Sequence, residues 1–183
     1  MRMRRLNTAG NSLVEFTLVG IPLIFILIGT FEMARGMWLY TTVAHAVREG
    51  ARYAAVHGKD CSTLPNQCAV SVANVAAVIR DAGVGLQAGE FYVALIATSP
   101  RTIPTVTLMP LSTLLTDPST FPSGTSAAAG NDVIVTGVYH FHTALSAFFP
   151  GPPTPPPPPA PLGSGSNDGA LRLAATSRER IEF

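Results

Sequence analysis

Between Leu13 and Phe31 the chain reads LVEFTLVGIPLIFILIGTF, 19 residues carrying one charge, Glu15. At about 1.5 Å of rise per residue, a helix over this run spans roughly 30 Å, the hydrocarbon thickness of a bilayer. The pattern predicts one transmembrane helix. Arg2, Arg4 and Arg5 precede it, and the next cation after it, Arg35, follows Glu32 at i,i+3. That asymmetry predicts a cytoplasmic N-terminus and an extracytoplasmic remainder. Trp38 and Tyr40 fall where the far interface is expected. A cleaved secretory signal is the competing reading. Its nearest A-x-A, Ala44-His45-Ala46, lies well past the apolar run with Glu32 and Arg35 intervening, a poor site for cleavage at the membrane surface.

The rest of the composition narrows the options. Charged residues make up 13% of the 183, about half the usual share, and mean hydropathy is positive, so water alone is a poor solvent for the whole chain. A net charge of +1 excludes nucleic acid as a partner held by bulk charge. A hydrophobic fraction of 47% excludes global disorder, and two cysteines exclude a disulfide-dense scaffold or a four-cysteine zinc site.

A carboxylate in or near hydrocarbon costs roughly 2.5–3.5 kcal/mol even on lenient insertion scales, so Glu15 needs a reason. One reading leaves it at headgroup depth, reaching water. Another starts from the string Gly10-Asn11-Ser12-Leu13-Val14-Glu15-Phe16. Cleavage after Gly10 would give Asn11 a new ammonium, one helical turn from Glu15 at i,i+4. The ammonium could pair with Glu15 of its own subunit or of a neighbour, neutralising both in apolar surroundings.

An Arg-rich leader, Gly10, four residues and then Glu15-Phe16 opening a hydrophobic helix resembles a type IV prepilin signal of the Flp/Tad (tight adherence) class. Two further stretches, Phe31-Glu32-Met33-Ala34-Arg35 and Arg48-Glu49-Gly50-Ala51-Arg52-Tyr53-Ala54-Ala55, resemble the TadE-like family of pilus-assembly pseudopilins. These motifs cover about residues 4–58. The resemblance implies a pilin-like protein with no enzymatic role and no cofactor. Gly10 would be the last leader residue for a prepilin peptidase, and Asn11 the mature N-terminus. Glu15 and Phe16 would serve processing and assembly. Other Tad pilus subunits, an inner-membrane assembly platform and the lipid bilayer would be its partners. Loss of residues 1–10 removes three cations and leaves nine against eleven acids, a side-chain net of −2. Gly20 and Pro22 depart from many relatives, and Pro22 is expected to kink or loosen the span.

The expected fold class is α+β: a long N-terminal transmembrane helix continuing into a small extracytoplasmic domain with a short helix and an antiparallel sheet. The expected divisions are a leader at 1–10, a helix at 11–58, a domain at 59–149, a Pro/Gly-rich loop at 150–169 and a C-terminal strand at 170–183. Beyond Phe31, Met33, Met37, Tyr40, Val43, Ala44, Val47, Ala51 and Ala54 recur every three or four residues, an amphipathic continuation ended by Gly58. Cys61 and Cys68 flank Pro65 and Asn66, and in an oxidising compartment this spacing predicts a disulfide worth about 2.5 kcal/mol. His57 and Asp60 lack a further ligand for a metal there.

Residues 69–82 predict a short helix with Val72, Val75, Ala76 and Ile79 on its apolar face. Residues 90–98 and 101–109 predict strands, the second interrupted by Pro104 and at an edge. Residues 110–130 predict a loop. Asp132–Phe141 is the clearest strand, with Val133, Val135, Gly137, Tyr139 and Phe141 on one face. His140 and His142 share its other face as an exposed pair. Two histidines at i,i+2 can bind a metal, but the sequence shows no third ligand, so no metal site is expected. Pro150–Pro161 holds nine of the sixteen prolines and predicts a stiff polyproline II insert. Leu171–Ser177 is expected to return and pair with Asp132–Phe141. The chain has no nucleophile elbow, phosphate loop or H-E-x-x-H motif. A structural assembly protein, a membrane-tethered binding module and a periplasmic metalloenzyme using His140 and His142 are the three classes compared. The first fits best and the second is the alternative.

Overall fold

The structure, a computed structural model, describes residues 9–57, 70–100, 106–123, 126, 128–143 and 171–181, with side chains from residue 13 onward. The chain divides into two compact units after Gly36. One helix, α1 (Ala9–Val56), contributes to both. It is helical without interruption through Pro22, the proline expected to kink or loosen the span.

In the first unit α1 is bare. Leu13, Phe16, Leu18, Ile24 and Leu27 are all exposed. The stretch is long and apolar enough to cross a membrane. Its hydroxyls are satisfied locally: Thr17 Oγ1 donates to the Val14 carbonyl and Thr30 Oγ1 to the Leu27 carbonyl, each at 2.9 Å. Such back-bonding is what a threonine needs where no water is available.

In the second unit, from Met37 onward, α1 becomes a core element. Leu39, Val43, Ala46, Val47, Gly50, Ala51, Ala54 and Ala55 are buried. This corrects the expected stripe, because Met33, Met37 and Tyr40 are exposed. The true seam shares Val43, Val47, Ala51 and Ala54 with the expected one, but starts at Leu39 and runs through Ala46 and Gly50, small residues that bring the helix close to its neighbours.

Helix α2 (Val72–Ala82) starts later than expected because Ser71 is its N-cap, accepting a hydrogen bond from the Asn74 amide at 3.2 Å. Its buried residues are the expected four, Val72, Val75, Ala76 and Ile79. The loop after α3 (Leu111–Leu114) supplies carbonyls to the first amides of α2: Val72 N–H donates to Ser119 at 2.8 Å and Ala73 N–H to Asp117 at 3.0 Å. These satisfy two of the orphan donors every helix start carries. The Ser119 hydroxyl, then its amide, hold the exposed Asp117 carboxyl below the usual carboxylate value. Residues 110–123 are therefore not the plain loop expected. They contain α3, bury Phe121, and pair Thr120 with Ser71 in an isolated bridge.

The sheet contains β1 (Phe91–Thr98), β2 (Met109–Pro110), β3 (Asp132–Phe141) and β4 (Leu171–Arg180) in the order β2-β1-β3-β4. All three pairings are antiparallel. The β3 span is as expected. β4 pairs with it as expected but runs on through Arg178, Glu179 and Arg180. The strand expected at 101–109 reduces to the edge pair Met109–Pro110, with 101–105 outside the described residues.

Alternation in β3 sends Val133, Val135, Tyr139 and Phe141 into one core with α1 and α2. The opposite face carries Ala94, Leu108 and Val138 with Tyr92, Ile96 and Val106. There Thr136 and Thr176 place their hydroxyls 3.2 Å apart, and buried Asp132 accepts from Arg178 Nε at 3.0 Å and from its Nη2.

Two glycines make the close packing possible. A Cβ on Gly137 would meet Val47 at 2.6 Å, and one on Gly50 would meet Ile79 at 2.4 Å. Gly50→Val should therefore lower stability by about 1–3 kcal/mol through overpacking, and Ile79→Ala by about 2–5 kcal/mol through a cavity. The double variant should cost less than the sum, since removing Ile79 opens the space the valine needs. Gly29→Ala, with nothing within 4 Å of the new carbon, should leave melting unchanged. Thermal unfolding of the detergent-solubilised chain, followed by circular dichroism, measures all four.

Candidate functional site

Gly10 and Asn11 lie in the first turn of α1, and the helical register places position 15 one turn after position 11. Glu15 is exposed, and Phe16 beside it is 77% exposed. Along Leu13–Phe31 the other polar side chains are Thr17 and Thr30, both bonded to their own helix. Glu15 is thus the one ionisable group on a surface that must be covered by something other than water. Lipid covers apolar side chains but offers a carboxylate nothing; a cationic partner offers it neutralisation. A surface of this kind can anchor the chain in a membrane and present one acid to a neighbour within it.

At the end of the run Glu32 is buried, with Oε1 3.9 Å from Arg35 Nη1, the i,i+3 pair expected. Its Oε2 has no hydrogen-bond partner among the described residues. Arg2, Arg4 and Arg5, Gly58, Cys61, Cys68, the proline run from Pro150 to Pro161 and the rest of the Pro/Gly-rich stretch to 169 lie outside the described residues.

A second cluster stands on the sheet face opposite the helices. Register pairs Phe91 with Tyr139, and the His140 amide donates to the Glu90 carbonyl at 3.1 Å, so Glu90 and His140 are direct cross-strand neighbours. Glu90 Oε2 lies 4.0 Å from His140 Nδ1 and 3.7 Å from His142 Nε2. The two histidines were expected as an exposed pair, and only His142 is one. The His140 side chain is 13% exposed, its ring stacked against Tyr92 with centroids 5.0 Å apart. Glu90 was not expected to join them. It is 50 residues away in sequence, and only the pairing register of β1 with β3 brings it there.

The fold and the bare helix define a chain with one membrane-length N-terminal helix and a small α+β domain, which fits a single-pass membrane protein. The model of the family described as TadE-like protein matches residues 10–52, from the residue before Asn11 to Arg52 of the R-E-G-A-R motif. The stretch that carries the resemblance in sequence is thus similar to the TadE-like family over those residues. No curated protein and no solved structure matches the chain.

Proposed function

We propose that the chain is a minor pilin or pseudopilin that takes part in assembling a Flp/Tad-type pilus after a prepilin peptidase removes residues 1–10. The observation that carries the reading is Glu15: one acid, exposed on the otherwise uncharged apolar run Leu13–Phe31, five positions after Gly10 and inside the stretch that matches the TadE-like model. On this reading the leader and its three arginines lie in the cytoplasm, the helix from Asn11 crosses the inner membrane, and residues 59–183 lie outside the cytoplasm. Cleavage converts Asn11 into a cation that Glu15, of the same or a neighbouring subunit, neutralises. Other Tad subunits and the inner-membrane assembly platform receive the helix as it leaves the bilayer. A plain tether would need none of this and would keep its leader.

N-terminal sequencing of protein extracted from membranes should begin at Asn11. A start at Met1 with the arginines retained would reduce the chain to a membrane-anchored binding module.

Glu15→Ala should leave the protein made and cleaved but not assembled. An unpaired charge in apolar surroundings costs about 3–5 kcal/mol, so incorporation should fall by roughly two to four orders of magnitude. Piliation like that of the wild type, counted by electron microscopy, is the outcome that counts against the pairing.

In the same extracytoplasmic setting Cys61 and Cys68 form a disulfide. Intact mass with and without a thiol-blocking reagent should show both cysteines blocked only after reduction.

A further inference from the structure

We propose that Glu90, His140 and His142 bind a divalent transition metal, with zinc the best match, on the sheet face opposite the helices. The site goes beyond the pilus-assembly role and does not depend on it.

The backbone holds the three donors together. Glu90 and His140 are a direct cross-strand pair closed by the His140 amide on the Glu90 carbonyl, and His142 is the next residue on that face. One carboxylate oxygen faces both imidazoles, at 4.0 and 3.7 Å. Those gaps are too long for direct hydrogen bonds. Zinc sits about 2.0–2.2 Å from nitrogen and carboxylate oxygen, so a tetrahedral ion holds its donors roughly 3.3–3.5 Å apart. As placed, no group of three such side chains among the described residues could hold a metal ion. The two carboxylate–imidazole gaps, 4.0 and 3.7 Å, would each have to shorten by roughly 0.2–0.7 Å to reach that spacing.

The side chains that must move are the ones free to do so, since His142 is 63% and Glu90 41% exposed. His140 is the fixed member, largely buried and stacked on Tyr92. Two imidazoles and one carboxylate are a donor set that zinc takes with its fourth position open, here to water or to a donor from another molecule. Arg172 stands opposite His140 in the β3–β4 register and is the cation nearest this site by pairing.

The test uses the full chain in detergent, stripped with a chelator, dialysed and titrated with zinc alone by calorimetry. One zinc per chain should bind. His142→Ala and Glu90→Gln should each weaken binding at least about tenfold, whereas Cys61→Ser/Cys68→Ser should leave it unchanged. Both site variants alter exposed side chains, so their metal-free melting should match the wild type. Zinc should then raise the melting temperature of the wild type and not of His142→Ala. Absence of saturable binding overturns the proposal. So does binding that survives in the Glu90→Gln/His142→Ala double variant, which would assign the zinc to donors elsewhere in the chain.

Discussion

Everything in the second unit rests on how closely α1 can lie against the sheet and α2. The contact is made through a seam of valines, alanines and Gly50, with Gly137 removing the one side chain from β3 that would keep Val47 away. Small residues bury little area each, so their value lies in proximity: they let Ile79, Phe91 and Val135 join one continuous core. The same helix, 20 residues earlier, has no such seam. There its large residues are exposed on every side. One element thus carries two hydrophobic patterns, an amphipathic one where its own domain supplies the partner and an all-round one where the partner must be lipid or other helices.

Local chemistry explains which parts of this were legible in the sequence. The apolar run, the α2 face and β3 are each encoded by residues within one window: a 19-residue uncharged stretch, a 3.6-residue period, and β-branched alternation between turn residues. The return of the C-terminal strand to β3 was also legible, because Leu171–Ser177 alternates and β3 needs a second neighbour. Arg178, Glu179 and Arg180 have little strand preference of their own, yet they lie within the C-terminal strand expected at 170–183. They extend β4 because Arg178 meets the buried Asp132 and because the Ile181 amide bonds the Asn131 carbonyl at 2.8 Å.

Non-local pairing explains what was missed. The outer seam of α1 was expected to continue through Met33, Met37 and Tyr40, which keep the period but are exposed. Residues 110–123 look like a loop by composition, yet their carbonyls are needed at the start of α2, and that need ties them down. Glu90 is the clearest case. A glutamate after Gly89 carries no signal by itself, and its meeting with two histidines depends wholly on a register set by apolar residues further along β1 and β3.

Polar groups on apolar ground divide into two kinds along α1. Thr17 and Thr30 are closed on their own backbone and ask nothing of their surroundings. Glu15 cannot be closed on a backbone carbonyl as they are, because an ionised carboxylate accepts hydrogen bonds only. A carboxylate is stable in an apolar setting only if a cation or a donor is brought to it. On the proposed function, the three arginines precede Glu15 before cleavage, and a new ammonium one turn away would replace them after it. The proposed processing step would therefore exchange the leader's cations for one at the helix end, which would travel with the helix into an assembly.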